Sequence, residues 1–272
     1  VALNCRALGS EVTVFSVTGD DEDGKQLEQL LNSNGISTEG LVRRSERITT
    51  NKTRVISRNQ QMMRLDKEMT ADISAEAESA LLEKLRSYIE TAKPAVLIFE
   101  DYNKGVLTPG VISTITEICK ANGVVTAADP KRKNFFAYKG VDIFKPNLKE
   151  VREALNLLSV ETELSHLRTI HSELQQLLQH SVSFITLSEK GVFLQQGKEA
   201  FIIPSHRRSI ADVSGAGDTV IAVAAMVYAV EKDTRLMAEI ANIAGGIVCE
   251  EVGTVAIAKD KLLQECEHLL AS

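Results

Sequence analysis

The sequence predicts an α/β protein: a mainly parallel sheet with helices on both faces, plus a small β appendage. Three observations carry that expectation. Short β-branched runs alternate with helical stretches along most of the 272 residues, the signature of strand–helix units. The runs are continuously apolar, as strands buried on both faces are. One region departs from the alternation, with two strand-like stretches separated by a polar turn.

The elements follow in order. The chain opens in helical pattern (VALNCRAL) ahead of the apolar run Val12–Val17. Thr49–Ser57 and Gln60–Asp66, with a turn at Arg58–Asn59, read as an antiparallel hairpin, a lid or a sheet edge. A helix is expected over Ala75–Ile89, where Ala80, Leu81, Leu85 and Ile89 recur at helical spacing. The strand Ala95–Phe99 follows, then a helix over Pro109–Ala121 with Thr108 as N-cap, Pro109 at the first helical position and Gly123 after the end. Strands are expected at Val124–Ala128, Val141–Phe144 and Val182–Leu187, with a helix over Glu163–Leu178. The helices Ala216–Val230 and Arg235–Cys249 are Ala-rich and apolar all round, which predicts burial. With no internal repeat, low-complexity tract or long linker, residues 1–272 are expected to form one domain.

Composition narrows the function. Hydrophobic residues make up 44% and charged residues 25%, ordinary for a globular chain. A net charge of -6 and an aromatic content of 4% argue against nucleic acid, and the acidity also argues against an anionic membrane surface. Arg207–Arg208 is too short for a nucleic-acid patch. No apolar stretch approaches ~18 residues, so no membrane span is expected. Cys5, Cys119, Cys249 and Cys266 form no C-x-x-C pair, which removes zinc and thioredoxin-like chemistry and suits a reducing cytoplasmic setting; Cys119 is expected in the core. His166, His171, His180, His206 and His268 show no metal-ligand spacing and no pairing with a nucleophile, so surface or capping roles are expected for all five.

Four segments carry candidate chemistry. In Ile210–Val223 (IADVSGAGDTVIAV) a small-residue turn, Ser214–Gly217, leads directly into an apolar helix. A helix start with free N–H groups and no bulky side chains is an anion site, and Gly215 and Gly217 allow close backbone approach. Asp218 sits in the first turn, either as a proton acceptor beside the anion or as a carboxylate complementing the helix dipole. In FKPNLKE, Asn147 and Glu150 lie three apart after a strand: either a site for hydrated Mg²⁺ or a helix cap. In FEDYNKGVLTP, Asp101 and Lys104 emerge at the C-terminal end of a strand, where open α/β sheets bind ligands; Lys104 either neutralises a phosphate or forms a loop ion pair. Thr186–Leu194 (TLSEKGVFL) reads as a hairpin turning at Glu189–Gly191. A fifth segment is a decoy. Gly19–Lys25 has P-loop spacing, but Gln26 stands where Ser or Thr belongs, and Asp20, Asp21, Glu22 and Asp23 would repel a triphosphate.

Together these residues resemble the ribokinase-like, or PfkB, carbohydrate kinases, over nearly the whole chain. Asp212–Asp218 (DVSGAGD) resembles the family's C-terminal signature, Asn147–Glu150 its N-x-x-E motif, and Gly19-x-Asp21-x-x-Gly24 its sugar-side turn. A narrower resemblance, through Thr53–Glu68, EDYNKGVLTP, Ala127–Gly140 and Ala241–Thr254, is to the kinase half of the bacterial heptose-phosphate kinase/ADP-heptose synthases.

The resemblance implies a ribokinase-like three-layer fold with a β lid. It also implies ATP- and Mg²⁺-dependent phosphorylation of a sugar phosphate, D-glycero-β-D-manno-heptose 7-phosphate, on the route to lipopolysaccharide. Asp218 would be the base, with the backbone of Gly215, Ala216 and Gly217 holding the transferring phosphoryl group. Asn147, Leu148, Lys149 and Glu150 would lie at the ATP phosphates, with Asn147 and Glu150 organising Mg²⁺. Ser188, Lys190, Gly191 and Asn242 would lie by the nucleotide, and Arg54, Asp101, Lys104 and Asp212 at the sugar end. A homodimer through the lid is a further implication. The family also has a first strand, a lid segment and a Gly-Gly element that would precede Val1, and the bifunctional enzymes carry an H-x-G-H motif that this sequence lacks. Another family member, of fructokinase or ribokinase type, shares the same motifs. A non-catalytic sugar- or nucleotide-binding module is the alternative from a different class, and the presence of Asp218, Asn147 and Glu150 weighs against it.

Overall fold

A computed structural model describes residues 1–57, 60–206 and 208–270. Its centre is a six-stranded sheet built from β5 (Val96–Glu100), β6 (Val125–Asp129), β7 (Ile143–Phe144), β8 (Val182–Thr186), β9 (Val192–Gln196) and β10 (Glu199–Ile203). The strand order is β10-β9-β8-β7-β6-β5. β5 through β8 run parallel, and β9 and β10 continue as antiparallel strands. One face packs against α3 (Ala75–Ala92), α4 (Pro109–Ala121) and α6 (Leu164–Leu178), with Leu81, Ile112, Phe144 and Leu174 among the buried residues. The other packs against α7 (Ala216–Glu231), α8 (Thr234–Val248) and α9 (Lys259–Leu270), through Ile143, Phe184, Ile221 and Ala244. This is the expected three-layer arrangement.

Local chemistry sets the element ends. Thr108 Oγ accepts from Val111 N at 3.1 Å and caps α4, with Pro109 inside its first turn. Cys119 is fully buried, and burial, with the charge of Asp142, pushes its thiol up to about 12. The strand expected over Val141–Phe144 shrinks to Ile143–Phe144. Here the Asp142 carboxylate, not a main-chain carbonyl, takes the Thr126 N–H at 2.8 Å.

The acidic decoy at Gly19–Lys25 is a helix start. Asp21 caps α2 (Glu22–Ser33), accepting from Gly24 N at 2.9 Å and from Thr49 N at 3.0 Å. Glu22 and Asp23 then fall in the first turn, where the dipole favours them. α2 connects β1 (Thr13–Gly19) to β2 (Ser37–Arg44), which pair in parallel.

Two histidines depart from the surface or capping roles expected of them. His171 and His180 are buried, and both hydrogen bond to Ser183 Oγ, at 2.8 and 2.6 Å. Ser183 lies on β8 and is itself fully buried, so its hydroxyl draws both rings inward. Burial first, and the neighbouring His171, push His180 down to about 4.

β3 (Asn51–Ser57) and β4 (Gln60–Lys67) form the antiparallel hairpin and pair only with each other among the described residues. The turn expected at Arg58–Asn59 lies outside the described residues. Val55, Met63 and Leu65 are exposed and share one face of the ribbon, since Val55 pairs with Met63 and Thr53 with Leu65. Among the described residues, the β1–β2 pair is not hydrogen bonded to the six-stranded sheet. Between β1 and β5 lies a cavity of about 950 Å³, walled by both strands and by Leu81, Leu85 and Ile89 of α3. Among the described residues, no helix is long and apolar enough to cross a membrane.

Candidate active site

The C-terminal ends of β5, β6 and β7 deliver a cluster of charged and polar side chains, and the N-terminus of α7 meets them. β5 ends at Glu100 and continues into Asp101 and Tyr102; β6 ends at Asp129, followed by Lys131; β7 ends at Phe144, followed by Lys145. Asp129 is buried and takes two ammonium groups, Lys145 at 3.0 Å and Lys131 at 3.1 Å. Lys131 also reaches Glu150 at 2.8 Å. Burial works against its charge, but Asp129 and Glu150 prevail and raise its pKa.

Lys145 is 3% exposed. Its ammonium also lies at the start of α7: a Cβ added to Gly217 would stand 3.8 Å from it and meet nothing nearer. The anion turn is therefore open on the side that faces a fixed cation. Gly215 closes the turn at φ 80°, a left-handed conformation that favours glycine, and an added Cβ there would meet Thr254 Cγ2 at 2.9 Å. Asp212 braces the turn from below, accepting from Ser214 N at 2.9 Å and Gly253 N at 3.1 Å. Ala216 opens α7, so the N–H groups of its first turn lack intrahelical acceptors. Asp218, in that turn, accepts from the Tyr102 hydroxyl at 2.9 Å.

Oxygens of Glu100, Asp129 and Asp218 lie within 4.8 Å of one another. Burial first, then the charges of Asp129 and Asp218, push Glu100 up to about 8. Burial and the Asp218 charge likewise raise the Tyr102 phenol.

Asn147 and Glu150 form a reciprocal capping box on α5 (Leu148–Ala154), each side chain accepting the other's main-chain N–H at 2.8 Å. With Lys131 on its second oxygen, the Glu150 carboxylate is held by protein donors on both sides. Leu148 and Lys149 open the same helix, and Lys149 pairs with Glu153 at 3.9 Å. Ser188 and Lys190 sit in a short 3₁₀ turn between β8 and β9, followed by Gly191. Lys190 donates to Thr162 Oγ1 at 2.9 Å. Ser205 donates to the Glu189 carbonyl of that turn, and Asn242 donates to the adjacent Pro204 carbonyl at 2.8 Å. The structure thus brings the nucleotide-side candidates around Pro204–Ser205.

The sugar-side candidates divide. Asp101 turns inward, and Tyr138, Asn134 and Asn103 N fill its carboxylate at 2.9, 3.2 and 2.7 Å. It braces the loop, as Asp212 braces the turn before α7. Lys104 is held at 2.7 Å by Glu68, which also takes Lys52 of the hairpin at 3.0 Å. Arg54 lies exposed on the hairpin, across from Arg64. The sequence reasoning missed Glu100, Tyr102, Asp129, Lys131 and Lys145 as site residues. Each stands at the end of a strand or within two residues of it. Asking which charges directly follow an expected strand would have found three of them, Glu100, Asp129 and Lys145.

A family model described as pfkB family carbohydrate kinase matches residues 1–261. The chain belongs to the pfkB family of carbohydrate kinases. Membership of that family makes it a phosphotransferase. Among curated relatives, the bifunctional protein HldE of Citrifermentans bemidjiense is 36% identical over 269 residues, 98% of this chain and 54% of the relative. The bifunctional protein HldE of Azorhizobium caulinodans is 35% identical over 273 residues, 100% of this chain and 56% of the relative. The chain spans about half the length of these relatives. In fold, this pfkB-family kinase is similar to Escherichia coli phosphofructokinase-2, with a TM-score of 0.83 at 16% identity, covering 100% of this chain and 86% of that one. The Arabidopsis thaliana ribokinase solved with ribose and ATP superposes with a TM-score of 0.75 at 14% identity, covering 97% and 84%.

Proposed function

We propose that this pfkB-family kinase phosphorylates a sugar phosphate, D-glycero-β-D-manno-heptose 7-phosphate, at its anomeric hydroxyl. ATP with Mg²⁺ would supply the phosphoryl group and the counter-charge. The observation that carries the reading is the meeting of Asp218, the open N-terminus of α7 and the buried ammonium of Lys145 at one point.

Phosphoryl transfer is mostly positioning and charge stabilisation. The first-turn N–H groups at Gly217 and Asp218, with Lys145, fit a phosphate oxyanion. With Oδ1 engaged by Tyr102, Oδ2 of Asp218 is the oxygen left to take the proton of the acceptor hydroxyl. Asn147 and Glu150 would orient water molecules around Mg²⁺ while keeping their capping roles. Lys52 and Lys104 fit the substrate's own phosphate, with Glu68 standing in its place. The heptose substrate rests on the sequence resemblance and is supported by relatives named as HldE proteins.

The work would be cytoplasmic. A second copy of the chain would cover the exposed apolar face of the hairpin.

The test is ATP consumption with Mg²⁺ against heptose 7-phosphate, fructose 6-phosphate, fructose, ribose and adenosine. Turnover of heptose 7-phosphate alone is expected. In Asp218→Asn, kcat should fall by about 10²–10⁴-fold with the circular dichroism spectrum unchanged. Near-normal turnover in that variant would remove Asp218 as the base, and turnover of a different sugar would retire the heptose assignment.

A further inference from the structure

Three carboxyl groups crowd one small volume, and their hydrogen-bond partners are unequal. Glu100, Asp129 and Asp218 have oxygens within 4.8 Å of one another. Like charges so close in a partly buried setting do not all stay ionised, and one of the groups keeps a proton. The donors decide which. Asp129 has Lys145 and Lys131. Asp218 has the Tyr102 hydroxyl. Glu100 Oε1 is buried with no hydrogen-bond partner among the described residues. Donors stabilise the anion on Asp129 and Asp218, and Glu100 is the carboxyl left to carry the proton.

We propose that Tyr102 and Glu100 are positioning residues for Asp218: Tyr102 fixes its carboxylate by donating to Oδ1, and Glu100 holds the proton that would otherwise sit on the base. The inference rests on Asp218 acting as the base, as proposed above. Two geometric features support it. Tyr102 and Glu100 lie on one short stretch at the end of β5, so a single strand end delivers both groups to Asp218. Tyr102 is itself held in place, with the Lys131 ammonium 6.0 Å from its ring centroid. The other groups facing Glu100 are Lys145 after β7, Asp129 at the end of β6, and the Cys5 thiol from the first helix (Ala2–Ala7).

The two residues should act on different parts of the kinetics. Without the Tyr102 hydrogen bond the Asp218 carboxylate is free to turn, so the chemical step slows while ATP binding holds. Burial first, then the neighbouring carboxylates, push Glu100 up to about 8. Above that pH its new negative charge stands beside the base and opposes the charge of the transferring group, so the rate falls.

The experiment is kcat/KM against pH for the wild type, Tyr102→Phe and Glu100→Gln, on whichever panel sugar turns over. Tyr102→Phe is expected to lower kcat by about 10–100-fold and leave the KM for ATP in place. Glu100→Gln is expected to lose the alkaline fall near pH 8. Beside this, ¹³C NMR titration of Glu and Tyr side chains needs no substrate. It should place Glu100 near 8 and the Tyr102 phenol above the ordinary tyrosine range, both falling in Asp218→Asn. An unchanged kcat in Tyr102→Phe would overturn the role of Tyr102. Glu100 titrating in the ordinary carboxylate range would overturn the role of Glu100. A wild type inert on every sugar would count against the substrate reading, and the titrations would still decide whether these three groups are coupled.

Discussion

A carboxylate in the first turn of a helix, read from sequence alone, fits two roles equally, and neighbours from other elements separate them. Asp218 has Tyr102 on one oxygen and sits where Lys145 approaches the same turn. None of these neighbours was legible as such in sequence, because Tyr102 and Lys145 lie 116 and 73 residues away along the chain. Histidines show the same limit in the other direction. His171 and His180 look like solvent-facing residues until Ser183 is seen between them. Their burial has a pH consequence. His180 is held neutral, with its pKa lowered to about 4, and His171 is shifted in the same direction. Above about pH 6.5 the imidazole is neutral folded or unfolded, and the burial costs nothing extra. Below that, the unfolded chain binds a proton that the folded one refuses, so stability falls with pH until about 4. The loss from His180 alone is on the order of 3 kcal/mol. Urea denaturation at pH 7 and at pH 4.5 should show it, and His180→Gln should lose less stability between the two than the wild type does.

At the scale of elements, sequence signals that act within a few residues were read well. The α4 cap at Thr108 with Pro109, the helix over Leu164–Leu178 and the turn at Ser188–Gly191 all follow from local residue preferences. β2 and β10 were not anticipated. Gly40 and the charges at its end break the pattern of β2, and β10 is the outermost strand of its sheet, paired on one side only. The capping box on α5 is an element whose two readings coexist. Asn147 and Glu150 cap the helix as their spacing suggests, and the same side chains are the proposed Mg²⁺ organisers. The roles separate by substitution. Asn147→Ala should cost about 1 kcal/mol of stability. Asn147→Ser restores a capping oxygen, so stability should return. If the amide also orients water around the metal, kcat in the serine variant stays depressed and the Mg²⁺ concentration needed for half-maximal rate stays raised. Recovery of both stability and Mg²⁺ dependence in Asn147→Ser would leave Asn147 a cap alone.

At the scale of the whole molecule, the sheet and its two helical layers were legible because buried parallel strands announce themselves by composition. How the pieces lie against one another was not. The β1–β2 pair stands apart from β5 across a cavity of about 950 Å³, and no local pattern encodes such a gap. The hairpin is the other outlying piece. Its two strands bond only to each other among the described residues, and an isolated two-stranded ribbon is marginal in water. Ion pairs tie its base to the body: Lys67 to Asp23 at 2.9 Å, and Lys52 to Glu68, which also holds Lys104. Exposed pairs of this kind contribute little each. The apolar face of Val55, Met63 and Leu65 therefore has more to gain from cover than the ribbon gains from its own contacts. If a second copy covers that face, light scattering coupled to gel filtration gives twice the chain mass. Leu65→Lys, facing solvent in a monomer, then shifts the protein to single-chain mass while its circular dichroism spectrum holds. Because Lys52 and Lys104 meet at the base of the same hairpin, the monomeric variant should also show a raised KM for the sugar phosphate and an unchanged KM for ATP. A wild type that elutes at single-chain mass at every concentration would leave the hairpin a lid of one subunit and remove the dimer from the proposal.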